Sequence, residues 1–211
     1  MNIERQEIRR REQIVSKEYG GILPHCEAFY IHSIHYSASR AQRAFGRLSE
    51  ELLQGLSATF ITASIHEALS HSAALSRYFW PSRNKGVAEA RSFKLRRAFS
   101  LDDGSPLRNR KLRDALDHFD ERLDEYLLTY DTGYFFPTPM IDNHELASDP
   151  SARIFKLVDP HAKRFVVLGE QFSFEHLAEE TARISALAQL MGNTGRLLST
   201  PSPRALDRPE D

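Results

Sequence analysis

The stretch Leu112-Arg113-Asp114-Ala115-Leu116-Asp117-His118-Phe119-Asp120-Glu121-Arg122-Leu123-Asp124-Glu125-Tyr126-Leu127 decides how this chain is read. Its apolar residues Leu112, Leu116, Phe119, Leu123 and Leu127 recur at i, i+4, i+7, i+11 and i+15, the spacing of one buried stripe on an amphipathic helix. Upstream, Ser105 and Pro106 supply an N-cap and a proline at the first helical position, so a single helix is expected over residues 106–130. At about 100° per residue, Asp114, His118, Glu121 and Glu125 fall on the side away from the stripe. His118 therefore projects away from the core, with Asp114 one turn before it and Arg122 one turn after. Asp114 is placed to orient the imidazole and to favour its charged form.

The same period recurs elsewhere in the chain. Residues 27–54 carry Phe29, Ile34, Ala38, Ala41, Phe45, Leu48 and Leu52 at spacings of three to five. Residues 56–80 are apolar around much of the helical circumference, as in the central helix of a bundle, and Pro81 ends them. Residues 86–100 read as a shorter helix. Before these, residues 1–20 form a charged helix or arm that Gly20-Gly21 interrupts. After the motif helix, residues 131–150 are rich in glycine, proline and Asx residues around Tyr134, Phe135 and Phe136 and read as an irregular loop. Two β-type runs at residues 153–158 and 164–168, joined by Asp159-Pro160-His161-Ala162-Lys163, predict a hairpin. Ser173 then caps a last helix that Gly192 ends, and the proline-rich residues 193–211 read as a disordered tail. The expected fold class is all-α: a four- to five-helix bundle over residues 21–192, with a small hairpin at residues 153–168 inserted before the last helix.

The 28 Lys and Arg residues nearly balance the 29 Asp and Glu, for a net charge of −1, but the balance is local only in the sum. Residues 83–113 hold ten basic residues against Glu89, Asp102 and Asp103, a balance of +7, and residues 114–126 hold six acidic residues against Arg122, a balance of −5. The boundary falls between Arg113 and Asp114. This excludes a general nucleic-acid-coating protein and leaves room for a site that grips one phosphate. An ordinary solvated helix pair exchanging ion pairs accounts for the same pattern equally well. A single cysteine, Cys26, rules out an internal disulfide and thiolate metal cages. The charge-dense start does not resemble a signal peptide, and no apolar run is long enough to span a bilayer, so a cytoplasmic protein without membrane attachment is expected. His66 and His71 are five residues apart and do not chelate one ion from a regular helix. His25, His32, His35, His66 and His71 leave open a metal site shared between helices, although no spacing among them favours one. No metal or cofactor is expected. Glu67 and His71 are candidates to support His118, with a satisfied core pair as the plainer alternative. Tyr134, Phe135 and Phe136 are candidate base-stacking residues, with packing of the loop on the core the commoner role for such a cluster.

The run from Arg113 to Asp124 resembles the signature helix of HEPN domains, in which an arginine followed by a polar residue is separated from a histidine by four to six positions. It is most similar to a bacterial branch, related to abortive-infection proteins, that carries Arg-Asn-x-x-x-His-Phe-Asp-Glu-Arg-Leu. Here Asp114 stands where asparagine is usual. The resemblance implies a helical bundle and, in active members, a dimeric metal-independent endoribonuclease with Arg113, Asp114 and His118 at the active site. Arg108, Arg110, Lys111 and Arg122 are then the residues expected to bind substrate. Implied partners are RNA or a nucleotide, a second copy of the chain and a cognate antitoxin in a toxin or phage-defence setting. Other members bind without cleaving, so a silent nucleotide- or protein-binding module is the alternative.

Overall fold

The computed structural model describes residues 4–129 and 133–198; the side chains of Arg110, Leu112 and Arg113 also lie outside the described set, as does most of the expected tail. The chain opens with α1 (Arg5–Tyr19), whose end is closed by Gly20 and Gly21 in left-handed conformations, both amides donating to the Val15 carbonyl. The centre of the molecule is a three-helix unit in which the long α2 (Glu27–Leu53) packs against both α3 (Ala58–Phe79) and α7 (Glu175–Gly192). Ile31, Ile34, Ala38 and Phe45 from α2 meet Ile61, Ile65 and Leu69 from α3 and Leu177, Ile184 and Ala188 from α7 in one buried core. A shorter α4 (Val87–Ala98) adds Leu95 and leads into Phe99, which packs edge-on against Phe79 with ring centroids 5.4 Å apart.

Gly21 has a steric reason to be glycine. Its φ is +83°, and a Cβ there would lie 2.2 Å from the Arg91 amide nitrogen on α4. Lys94 of α4 reinforces this approach: its Nζ donates to the carbonyls of Tyr19 (3.3 Å) and Ile22 (3.1 Å) and pairs with the buried Glu27 at 2.8 Å. Gly21→Ala is expected to destabilise the protein by about 2 kcal/mol, because both the backbone conformation and the helix approach must give. Chemical denaturation checks this, with Gly46→Ala, where a Cβ would meet nothing within 4 Å, as the control.

The expected motif helix is not continuous. Pro106–Arg108 forms one 3₁₀ turn, Asn109 caps α5 (Arg110–Asp117) by accepting from the Lys111 amide at 3.0 Å, and the chain breaks again at His118 before α6 (Phe119–Leu128). Ser105 makes no cap bond and instead donates to Glu180 on α7 at 3.1 Å.

The strand region is larger than a hairpin. Three-residue β1 (Tyr134–Phe136) runs parallel to β3 (Ala152–Ile154). A second sheet orders β2 (Met140–Ile141), β4 (Lys156–Asp159), β5 (Arg164–Val167) and β6 (Glu170–Ser173), with β2 parallel to β4 and the others antiparallel. The expected hairpin is present only in part: Lys156–Asp159 pairs with Arg164–Val167, the last pair being Asp159 opposite Arg164, while the start of the expected first strand lies in β3, in the other sheet. What the sequence reading missed is β6, together with the order inside the expected loop. The two-residue turn before β6, Leu168-Gly169, has positive φ at both positions, and Leu168 gives no turn signal. Ser173 belongs to β6, so it does not cap α7; Phe174 occupies that position without a side-chain cap bond. Among the described residues the protein is thus mainly helical, with seven α-helices and two small sheets. No described helix is long and apolar enough to cross a membrane.

Candidate active site around His118

The sheet region holds the motif helix in place. Leu116, Phe119, Leu123 and Tyr126 turn toward the core, while Leu127, the last member of the expected stripe, is half exposed. Phe119 packs edge-on against Phe155 at 5.9 Å, and the Lys156 ammonium lies 5.1 Å from the Phe119 ring centre and 4.8 Å from that of Phe155. Burial lowers the pKa of Lys156 and, with help from the Lys156 charge, that of His66. The Tyr126 hydroxyl accepts from the Ile154 amide at 2.8 Å, and Arg122 pairs with Glu170 on β6 at 2.9 Å. Three contacts therefore fasten α6 to the strand region.

His118 sits at the joint between α5 and α6, with φ −117° and ψ 39°. Its amide donates to the Asp114 carbonyl (3.1 Å) and its carbonyl accepts from the Arg122 amide (3.0 Å), so one residue serves as the end of one helix and the start of the next. Asp120 and Glu121 then occupy the first turn of α6, where negative charge is favoured. The imidazole is 59% exposed and its Nδ1 lies 3.4 Å from Glu121 Oε2. The expectation that His118 leaves the core is met, but the carboxylate at its ring is that of Glu121, one turn after it. The break at His118 explains this, since it ends the regular 100° progression from Asp114 onward.

The other expected residues are only partly brought together. Asp114 is half-buried on α5, and Lys111 is exposed. Arg122 is engaged by Glu170, and Arg108 lies beyond the start of α5 with its Nη1 3.2 Å from Asp103. Arg113 and Arg110 have side chains outside the described set. Asp117 is held by Arg77 of α3. Glu67 and His71 do not support His118: Glu67 contacts Arg47, and lies 3.7 Å from Arg40 and 3.9 Å from His71. Burial lowers the His71 pKa against the opposing pull of Glu67. A cleft of about 280 Å³ adjoins the motif, lined by Ala115, Arg122, Glu125, Tyr126 and Glu170 among others. Tyr134 and Phe135 are exposed and Phe136 is half-buried against the smaller apolar cluster.

A second histidine–carboxylate pair escaped sequence reading. His144, on a 3₁₀ turn over His144–Ser148, places Nδ1 2.7 Å from Asp159 Oδ2. An ionised carboxylate only accepts, so Nδ1 carries the proton. Asp159 is 5% exposed and also accepts from the amides of His144 (3.1 Å), His161 (3.0 Å) and Ala162 (2.9 Å). Burial alone would raise its pKa; the hydrogen bonds from Ala162, His144 and His161 outweigh it and hold the carboxyl far below the usual range. No local pattern announces a pair separated by fifteen residues. Among the described residues no three His, Cys, Asp or Glu side chains are grouped to hold a metal ion.

Comparison with known proteins found no matching family model, no matching curated protein and no matching solved structure.

Proposed function

We propose that this chain is a HEPN-like helical protein acting as a homodimeric, metal-independent endoribonuclease of the toxin or defence type. The observation that carries the reading is the His118 side chain: solvent-exposed, fixed at a helix joint, and flanked at Nδ1 by the Glu121 carboxylate. That arrangement leaves Nε2 exposed to take or give a proton, with a carboxylate beside Nδ1 to orient the ring. In the proposed reaction one His118 removes the proton from an RNA 2′-hydroxyl, whose oxygen attacks the adjacent phosphorus. The bond to the 5′-oxygen breaks, and the second copy of the histidine in the dimer protonates that leaving oxygen. The products are a 2′,3′-cyclic phosphate and a 5′-hydroxyl. Arg113, adjoining Asp114 at the motif's start, is assigned to the phosphate, where a guanidinium offsets charge growing in the transition state.

The role of the 2′-hydroxyl gives the test. Single-stranded RNA is expected to be cut, and the same strand with 2′-O-methyl groups throughout is expected to stay intact, as read on a denaturing gel. Equal cutting of both strands would exclude this chemistry. The Arg122–Glu170 and Arg77–Asp117 pairs favour a second reading, a binding module without cleavage, because they commit cations beside the motif to carboxylates of the same chain. That reading predicts RNA retention in a gel-shift assay with no shortening of the strand.

A further inference from the structure

A cleft of about 590 Å³ lies near the start of α5, where the end of α3, the middle of α4 and the turn before α5 meet; its lining includes Trp80, Asn84, Arg96, Asp103, Arg108 and Asn109. Two guanidinium groups share one carboxylate there. Arg96 Nη1 is 3.5 Å from Asp103 Oδ1, and Arg108 Nη1 is 3.2 Å from Asp103 Oδ2. Arg96 is positioned by rings, its guanidinium lying 5.8 Å from the Trp80 ring centre and 5.9 Å from that of Phe93. Its Nε is buried and has no hydrogen-bond partner among the described residues. Asp103 itself is 65% exposed, on a turn that Asp102 closes by accepting from the Gly104 amide at 2.8 Å. Asn84 lies between the exposed Arg83 and Lys85 at the rim.

These groups leave a surplus of positive charge, an unused buried donor and a carboxylate that is largely exposed to water. A guanidinium fork matches the spacing of phosphate oxygens, and a phosphate brings more negative charge than the aspartate it would replace. We propose that this cleft is an anion site for a phosphate group, with Arg96 and Arg108 as its two arms and the Asp103 carboxylate as the group that the phosphate displaces. The inference does not rest on the nuclease reading, since the cleft adjoins the first residues of α5 and His118 follows the last. The phosphate belongs either to a free nucleotide or to an RNA strand, and the chemistry of the arms is the same for both.

Calorimetric titration of the full-length protein with inorganic phosphate tests the site. Saturable binding is expected, weakened about tenfold in Arg108→Ala by the loss of a charge-assisted contact, and tightened about fivefold in Asp103→Asn by removal of the competing charge. Arg108 is half exposed, so its substitution is expected to leave the fold intact, which an unchanged denaturation midpoint checks. A purely structural triad would instead give no phosphate dependence and no gain in Asp103→Asn. Adenosine or uridine monophosphate binding more tightly than phosphate, with the same sensitivity to Arg108→Ala, identifies a free nucleotide as the source; displacement of phosphate by short RNA, but not by mononucleotides, identifies the strand. Absence of saturable binding by phosphate, mononucleotides and RNA alike, or equal affinity in wild type and Arg108→Ala, overturns the proposal.

Discussion

Replacing His118 with alanine is expected to lower RNA cleavage by about 10²- to 10⁴-fold, the range typical of losing one positioned acid or base. The same substitution is expected to leave stability within about 0.5 kcal/mol of wild type, because the side chain is exposed and its contact with Glu121 is a surface pair. The two readouts together separate a catalytic histidine from a structural one: activity falls while the denaturation midpoint stays in place. Glu121→Gln provides a graded comparison. It keeps the size of the side chain beside Nδ1 and removes the carboxylate that orients the ring, so a smaller loss of activity is expected, again without unfolding. Cleavage by His118→Ala at the wild-type rate would remove this residue from the chemistry.

The largest effect on stability outside the apolar core is expected at Asp159. Asp159→Ala takes away the acceptor for three backbone amides and the His144 ring in a buried position, and is expected to cost about 3 kcal/mol in denaturant unfolding. The loss is expected to loosen the turn over His144–Ser148 from the β4–β5 hairpin, because the carboxylate accepts from the His144 amide and ring and from the amides of the turn residues His161 and Ala162. The pH dependence follows from the direction of the shift. The folded pKa is depressed below the unfolded value of about 3.9, so the contribution is fully present above that value and declines as pH falls toward the folded pKa. The stability difference between wild type and Asp159→Ala should therefore be constant near neutrality and narrow below about pH 4. A gap that instead widened on acidification would contradict the assignment of an ionised, hydrogen-bonded carboxylate.

The helical core was legible because burial and period coincide there. Residues such as Ile34, Ala38 and Phe45 on α2, or Leu177, Ile184 and Ala188 on α7, face one side at helical spacing and are buried. The break at His118 was not legible for a related reason: Leu116, Phe119 and Leu123 keep the same spacing across the joint, so the apolar pattern passes through it unchanged. The small sheets were largely hidden because strands of two to four residues are too short to show alternation, and β1 and β2 find parallel partners far along the chain. In the site, the outward position of His118 followed from its place off the apolar stripe. Its pairing with Glu121, and the engagement of Arg122 by Glu170, depend on the joint and on β6, neither of which leaves a local signature. The hairpin, which reads in the sequence as an addition to a bundle, belongs to the region that braces α6 through Phe155, Lys156 and, on β6, Glu170.

The proposed function requires His118 to serve a metal-independent cut of RNA through the strand's own 2′-hydroxyl. Incubating the wild-type protein with a panel of single-stranded RNAs in EDTA, and reading the fragment ends by mass spectrometry, tests it most directly. Fragments ending in 2′,3′-cyclic phosphate and beginning with 5′-hydroxyl are the predicted result; intact RNA across the panel, or fragments carrying 5′-phosphate ends, would contradict it.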